Sequence, residues 1–199
     1  MKKHAFTMIE LIIIIVVVGI LSAAVMPRLE RDTLRDAANQ VVRHIQYTQH
    51  LAMVDDVYND TDNNWYLEKW QIGFRTTNRC YVVYSDLNQG GFADANEAAI
   101  DPLDKTLLFS NVTCTATGNN TKILLATEYD INAINLSGGC GGANNYIAFD
   151  NLGRPHVGFT GPVNNLMVAR CDITLTSGAR NAVVSIDPET GYTRITAIN

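Results

Sequence analysis

Polarity along the chain changes character twice. From Leu11 to Met26 an apolar run is broken only by Ser22; Lys2, Lys3 and His4 precede it, and Phe6-Thr7-Met8-Ile9-Glu10 leads into it. From Leu34 to Ala52 the apolar and small positions recur in steps of three and four, at Leu34, Ala38, Val41, Ile45, Thr48 and Ala52, with Ala37, Val42 and Leu51 widening the stripe. That period is one face of an amphipathic helix. Arg35, Asp36, Asn39, Arg43, Gln46 and Gln49 occupy the other face. Together the two stretches predict one long helix over about residues 7–54, apolar all round at its start and one-sided at its end. The first part suits lipid or neighbouring helices; the second suits docking on a globular head. Pro27 falls between them, where a proline ends or bends a helix.

Residues 55–64 are a polar loop without periodicity, and beyond them the pattern shortens to β-type runs. Residues 70–75 and 80–84 read as two neighbouring strands. Further candidates are 106–109, 122–126, 145–149, 166–170, 173–176, 182–186 and 193–197. Gly- and Asn-rich turns separate them at 118–120, 138–142, 151–153 and 188–191. The expected fold class is α+β: a long N-terminal helix, membrane-spanning then amphipathic, packed on an antiparallel β-rich head of two sheets.

Charge and cysteines narrow the setting. The 199 residues carry 15 basic and 20 acidic side chains, a net charge of −5. That balance is wrong for a general nucleic-acid binder. Cys80, Cys114, Cys140 and Cys171 all lie in the β-rich part, and none shows C-x-x-C spacing. In an oxidising envelope they read as two disulfides with three possible pairings. Cys80–Cys114 and Cys140–Cys171 are preferred because each closes a loop of about thirty residues.

Chemistry-bearing patterns are few. Asp86 to Glu97 can be laid on a twelve-residue calcium loop, with Asp86 at position 1, Asn88 at 3, Gly91 at 6, Asp94 at 9 and Glu97 at 12, and with the Phe92 carbonyl completing the set. Gly90 at position 5 offers no side-chain oxygen. The plainer account is a polar turn shaped by Asp, Asn and Gly. No cofactor is required, and calcium is the one candidate. His44 and His50 are six apart and point to different helix faces, His4 lies ahead of the helix, and His156 has no visible Cys or Ser partner. No nucleophile elbow, zinc-protease or phosphate-loop pattern occurs, so no enzyme is expected.

The start of the chain carries the most specific signal. A secretory signal puts its small-residue cleavage site after the apolar core; here the small residue Ala5 precedes it, and Glu10 stands at its entrance. A carboxylate near bilayer depth costs ~2.5–3.5 kcal/mol at a helix centre and asks for a partner or a role. Two ordinary readings are a signal peptide cut near Ser22-Ala23-Ala24 and a plain anchor with Glu10 reaching the interface. The pattern closely resembles instead the prepilin signal of type IV pilins and type II secretion pseudopilins. That resemblance implies a leader of residues 1–5 removed by a prepilin peptidase, and N-terminal methylation of Phe6. It also implies a single inner-membrane span over 6–26 and a periplasmic head over 55–199. The family usually has Gly before the cut, and Ala5 keeps a small residue there. The family also places a helix-bending proline where Pro27 lies. Gly19 and Ala23 form a small-xxx-small pair that lets another helix approach. In a packed filament, Glu10 of one subunit would pair with the Phe6 amine of its neighbour and set register.

The head is similar, through residues 70–74, 82–97, 147–155 and 183–195, to the GspH/FimT group of minor pseudopilins and minor pilins. The resemblance implies a structural, non-catalytic subunit of a type II secretion pseudopilus that supports protein secretion. The alternative it leaves open is a minor pilin of a type IV pilus, serving assembly, adhesion or DNA uptake, or a binding module mounted on a filament. The expected partners are other pilin or pseudopilin subunits, the prepilin peptidase and the inner membrane. Nucleic acid is not among them, because Arg194 is the only charge after Glu189.

Overall fold

The computed structural model describes residues 7–25, 32–55, 57–91, 93–115, 120–140, 145–158 and 165–199. The chain divides into two compact units, Met1–Asp32 and Thr33–Asn199. In the first, α1 (Met8–Val25) is 18 residues long. In the second, α2 (Thr33–Val54) lies against two four-stranded antiparallel sheets. The helix expected over 7–54 in one piece is therefore two helices. Asp32 is not helical, and α2 begins afresh behind it; Asp is a favoured residue at that flanking position. Pro27 lies outside the described residues.

The first sheet has the order β2-β1-β4-β5, built from β1 (Trp70–Arg75), β2 (Cys80–Ser85), β4 (Tyr146–Phe149) and β5 (Pro155–His156). The second has the order β3-β6-β7-β8, from β3 (Ala133–Gly138), β6 (Cys171–Ser177), β7 (Arg180–Ile186) and β8 (Thr193–Ile198). The α+β class and the two-sheet head are as expected. α2 touches β1 and β4 of the first sheet and β6, β7 and β8 of the second. Its buried Leu34, Ala37, Ala38, Val41, Ile45 and Ala52 join Ile72, Tyr81, Ile147 and Phe149 from one sheet and Ile173, Leu175 and Val184 from the other in a single core. At the end of α2, Gln49 Nε2 donates to the carbonyls of Gly153 and Thr190, each at 2.8 Å. One amide thus ties the β4–β5 turn of the first sheet to the β7–β8 turn of the second.

Three expected strands are absent. Residues 122–126 are helical: a short 3-10 turn (Thr121–Ile123) leads into α3 (Leu125–Tyr129). Asn120 starts this piece by accepting the Lys122 amide, and the buried Leu125 and Tyr129 stand one helical turn apart. In 106–109 only Leu107 forms a bridge, to Ile100, and in 166–170 only Leu166, to His156. Val168 is 90% exposed, so its apolarity marks no core-facing position. β3 was not expected, because only Ile134 among its residues is buried, and β5 is too short to show a period.

The buried stripe of α2 is not wholly apolar, since it includes Gln40, His44 and Thr48. Arg43 donates to Gln40 Oε1, which turns the Gln40 amide nitrogen toward His44 Nε2 at 2.9 Å. His44 therefore accepts at Nε2 and carries its proton on Nδ1, which donates to the Tyr81 hydroxyl. Asp101 Oδ2 stands 3.5 Å from Nε2 and accepts from Asn120 Nδ2 at 2.7 Å. Burial pulls the His44 imidazole down to about 4; Asp101 opposes that shift without reversing it.

Candidate functional site

α1 is built to be covered. Every described side chain from Thr7 to Ser22 is exposed on this chain, including Ile9, Leu11, Ile15, Val18 and Leu21 around the whole circumference. A helix that is apolar on all sides is not a water-facing element. Its 18 residues rise about 27 Å at ~1.5 Å each, against a hydrocarbon thickness of ~30 Å. No helix among the described residues is long and apolar enough to cross a membrane. A Cβ added at Gly19 would meet nothing within 4 Å, so that face is open to a close neighbour. Ser22 Oγ donates back to the Val18 carbonyl at 2.7 Å, which satisfies its hydroxyl within the helix.

Glu10 stands in the first turn of α1, where the helix dipole favours a negative charge. Its backbone amide donates to Thr7 Oγ1 at 3.3 Å. Thr7 and Glu10 have the T-x-x-E spacing of a capping box, a local signal not used in the sequence reading. Thr7 thus serves the start of the same helix that carries Glu10. Ala5 and Phe6 lie outside the described residues, as does Phe92.

The Asp86–Glu97 loop gathers its acidic residues around its own backbone. Asp86 is buried, and its two oxygens accept from the amides of Gly90 (2.9 Å) and Gly91 (2.8 Å). Glu97, also buried, accepts from the amides of Asn88 (3.0 Å) and Asp94 (3.2 Å). Asn88 Nδ2 reaches Asp94 Oδ2 at 2.9 Å. The spacing does bring Asp86, Asn88, Asp94 and Glu97 together, as a hydrogen-bonded turn whose carboxylates face amide donors. Among the described residues no three His, Cys, Asp or Glu side chains are grouped to hold a metal ion.

Two disulfides brace the head, Cys80–Cys114 and Cys140–Cys171. The first ties the start of β2 to the long excursion before α3. The second joins Cys140, just past the end of β3, to Cys171 at the start of β6, which stands opposite Gly138.

A pocket of about 380 Å³ opens at the C-terminal end of α2, lined in part by Asp55, Tyr58, Trp65, Lys69, Trp70 and Asp150. Asp150 is the anchor of its polar wall. Burial alone would raise its carboxyl, but hydrogen bonds from His156 and from the amide and guanidinium of Arg154 outweigh that and hold it at about 2. Nothing in the sequence pattern gathers these residues, because they come from the polar loop after α2, the 3-10 turn Trp65–Glu68, β1 and the β4–β5 turn.

Comparison with known proteins bears on the first of these features. No curated protein and no solved structure shows a significant match to the chain. Residues 1–26 match the family model of the prokaryotic N-terminal methylation motif. The chain therefore begins with a type IV pilin-like signal, which implies pilin-family assembly and prepilin-peptidase processing in general.

Proposed function

We propose that the protein is a minor pilin-like subunit of a type II secretion pseudopilus, of the GspH/FimT kind. It is cut between Ala5 and Phe6, held in the inner membrane by α1, and assembled through that helix with its head on the periplasmic or outer side. Its work is mechanical, in assembly and initiation, rather than turnover of a substrate. The observation that carries this reading is the methylation motif on residues 1–26, joined to a helix with apolar side chains on every face. Glu10, Gly19 and Pro27 are its assembly residues: Glu10 pairs with the neighbour's Phe6 amine, Gly19 admits a close helix, and Pro27 is the proline that the family resemblance assigns to helix bending on assembly.

Intact-mass measurement of membrane-extracted protein tests the processing step. Loss of residues 1–5 with gain of one methyl group is expected; a mature start near Val25 sinks the reading. Glu10→Val should leave membrane insertion intact and impair assembly, because it removes a charge from the apolar helix while unpairing the neighbour's amine. Deleting the gene and scoring exoprotein release, surface pili and DNA uptake side by side separates the pseudopilus from a type IV pilus.

A further inference from the structure

The chain has two tryptophans, and Trp65 and Trp70 line the same pocket at the end of α2. Its volume of about 380 Å³ falls in the range of small-molecule sites, ~300–1,000 Å³. Tyr58 meets Trp65 edge-on at 5.0 Å and 75°, and Tyr58 is 61% exposed although it is a large aromatic ring. Phe149 adds a buried ring to the lining.

The charged lining groups are two acids and two bases, each held by a neighbour. Asp55 accepts from Trp70 Nε1 at 2.9 Å. Asp150 accepts from Arg154 Nε at 2.8 Å and His156 Nε2 at 3.2 Å. Lys69 Nζ lies 4.6 Å from the Trp65 ring centroid and donates to the Tyr66 carbonyl at 3.4 Å. The lining therefore has no excess of one sign to draw an ion. It offers instead flat apolar rings beside a rim of carboxylate, amide and guanidinium groups, with Asn151 among them.

We propose that this pocket binds an uncharged saccharide, with the C–H face of a sugar ring on the exposed Tyr58 ring, which Trp65 braces edge-on, and its hydroxyls on Asp150, Asn151 and Arg154. A sugar ring presents an apolar face and a hydroxyl edge, which are the two surfaces the pocket complements. A proline-rich peptide would also use aromatic rings, but its residues offer carbonyl acceptors and no donor for the Asp150 carboxylate. A purely apolar ligand would strip water from the charged rim without replacing its hydrogen bonds. The proposal does not rest on how the subunit is processed or assembled.

The test uses the full chain in a sugar-free detergent, with tryptophan emission as the readout, because both fluorophores line the site. Maltotriose, cellotriose and triacetylchitotriose are the probes, with deca-proline beside them. A saturable emission change with at least one sugar is expected, weakened by about tenfold or more in Tyr58→Ala and in Trp65→Ala. Tyr58→Ala, at an exposed position, should keep the wild-type melting temperature, so its loss of binding is not loss of fold. An emission change that both variants retain, no saturable change with any of the three sugars, or saturation by deca-proline alone would overturn the proposal. The intact mass of the Tyr58→Ala protein should match that of the processed wild type less the side-chain difference, which separates this failure from a failure of the pilin reading.

Discussion

His44 and Tyr81 meet inside the core of the head, the imidazole Nδ1 2.7 Å from the phenol oxygen. The contact joins α2 to β2 across 37 residues of sequence, while the Gln40 amide on the other ring nitrogen needs that ring neutral. A second proton on the imidazole would have to sit on Nε2, where the Gln40 amide already points its hydrogen.

That relationship sets an acid limit on stability. The folded imidazole titrates at about 4, below the ordinary value of ~6.5. Between those values the unfolded chain binds a proton that the folded chain resists, so stability rises with pH across the window. It is fully present above ~6.5 and is lost as pH falls toward 4, by an amount on the order of a few kcal/mol. Melts of the full chain at pH 7 and pH 4.5 should show the drop. A His44→Gln protein, less stable at pH 7, should lose less between the two; an equal loss would assign the acid sensitivity elsewhere.

Tyr81→Phe leaves a buried imidazole N–H without its acceptor while conserving the ring. A cost of ~1–3 kcal/mol is expected at pH 7, read from a denaturant midpoint with unchanged slope.

Gly191 is the tightest backbone position at the end of α2. Its φ is +65°, and an added Cβ would lie 2.5 Å from Gln49 Nε2 and 2.7 Å from the Gly153 carbonyl. Gly191→Ala should therefore cost ~1–3 kcal/mol, while Gly178→Ala, also at positive φ but with nothing within 4 Å of the new Cβ, should cost less. Equal losses would show that backbone strain alone, not the clash with Gln49, decides the effect.

The Asp86 turn is expected to be held by amides rather than by an ion. Asp86→Ala orphans the Gly90 and Gly91 amides, and a cost of ~1–3 kcal/mol should appear in chelator and in millimolar calcium alike. An upward shift of the wild-type melt with calcium, abolished by Asp86→Ala, would show instead that the carboxylates exchange their amides for the metal.

Reduction of the disulfides offers a separate measure of the head. Each closes a loop of just over thirty residues, worth ~3–4 kcal/mol in the chain-entropy account. The Cys140→Ser/Cys171→Ser and Cys80→Ser/Cys114→Ser pairs should each lower the melting temperature, and peptide mapping without reductant should recover the two crosslinks.

Much of the architecture was legible because it is periodic. The stripe of α2 shows in its three-and-four spacing, and β6, β7 and β8 show in their branched residues. What was hidden lacks a local signal. Ile134 alone marks β3 as inward-facing, and Lys122–Ala126 carries strand-like residues, but the Asn120 side chain starts a helix there. Gln40 and His44 fall on the buried side of α2 yet look polar on paper; Gln40 is satisfied within the helix by Arg43 and His44, and His44 by Tyr81, far along the chain. The N-terminal signal was readable as residues in order. The aromatic pocket was not, because four separate elements bring it together.

Under tension, Gln49 makes α2 a tie-bar. A load entering the head along the helix is divided between two sheets, since α2 runs against strands of both and its far end is fastened to one turn of each. Contacts arranged side by side along the pulling direction must yield together, whereas the same contacts pulled crosswise yield one after another. The rate of forced unfolding is therefore direction-dependent in this head, slow for a pull along α2 and fast for one that peels it from the sheets.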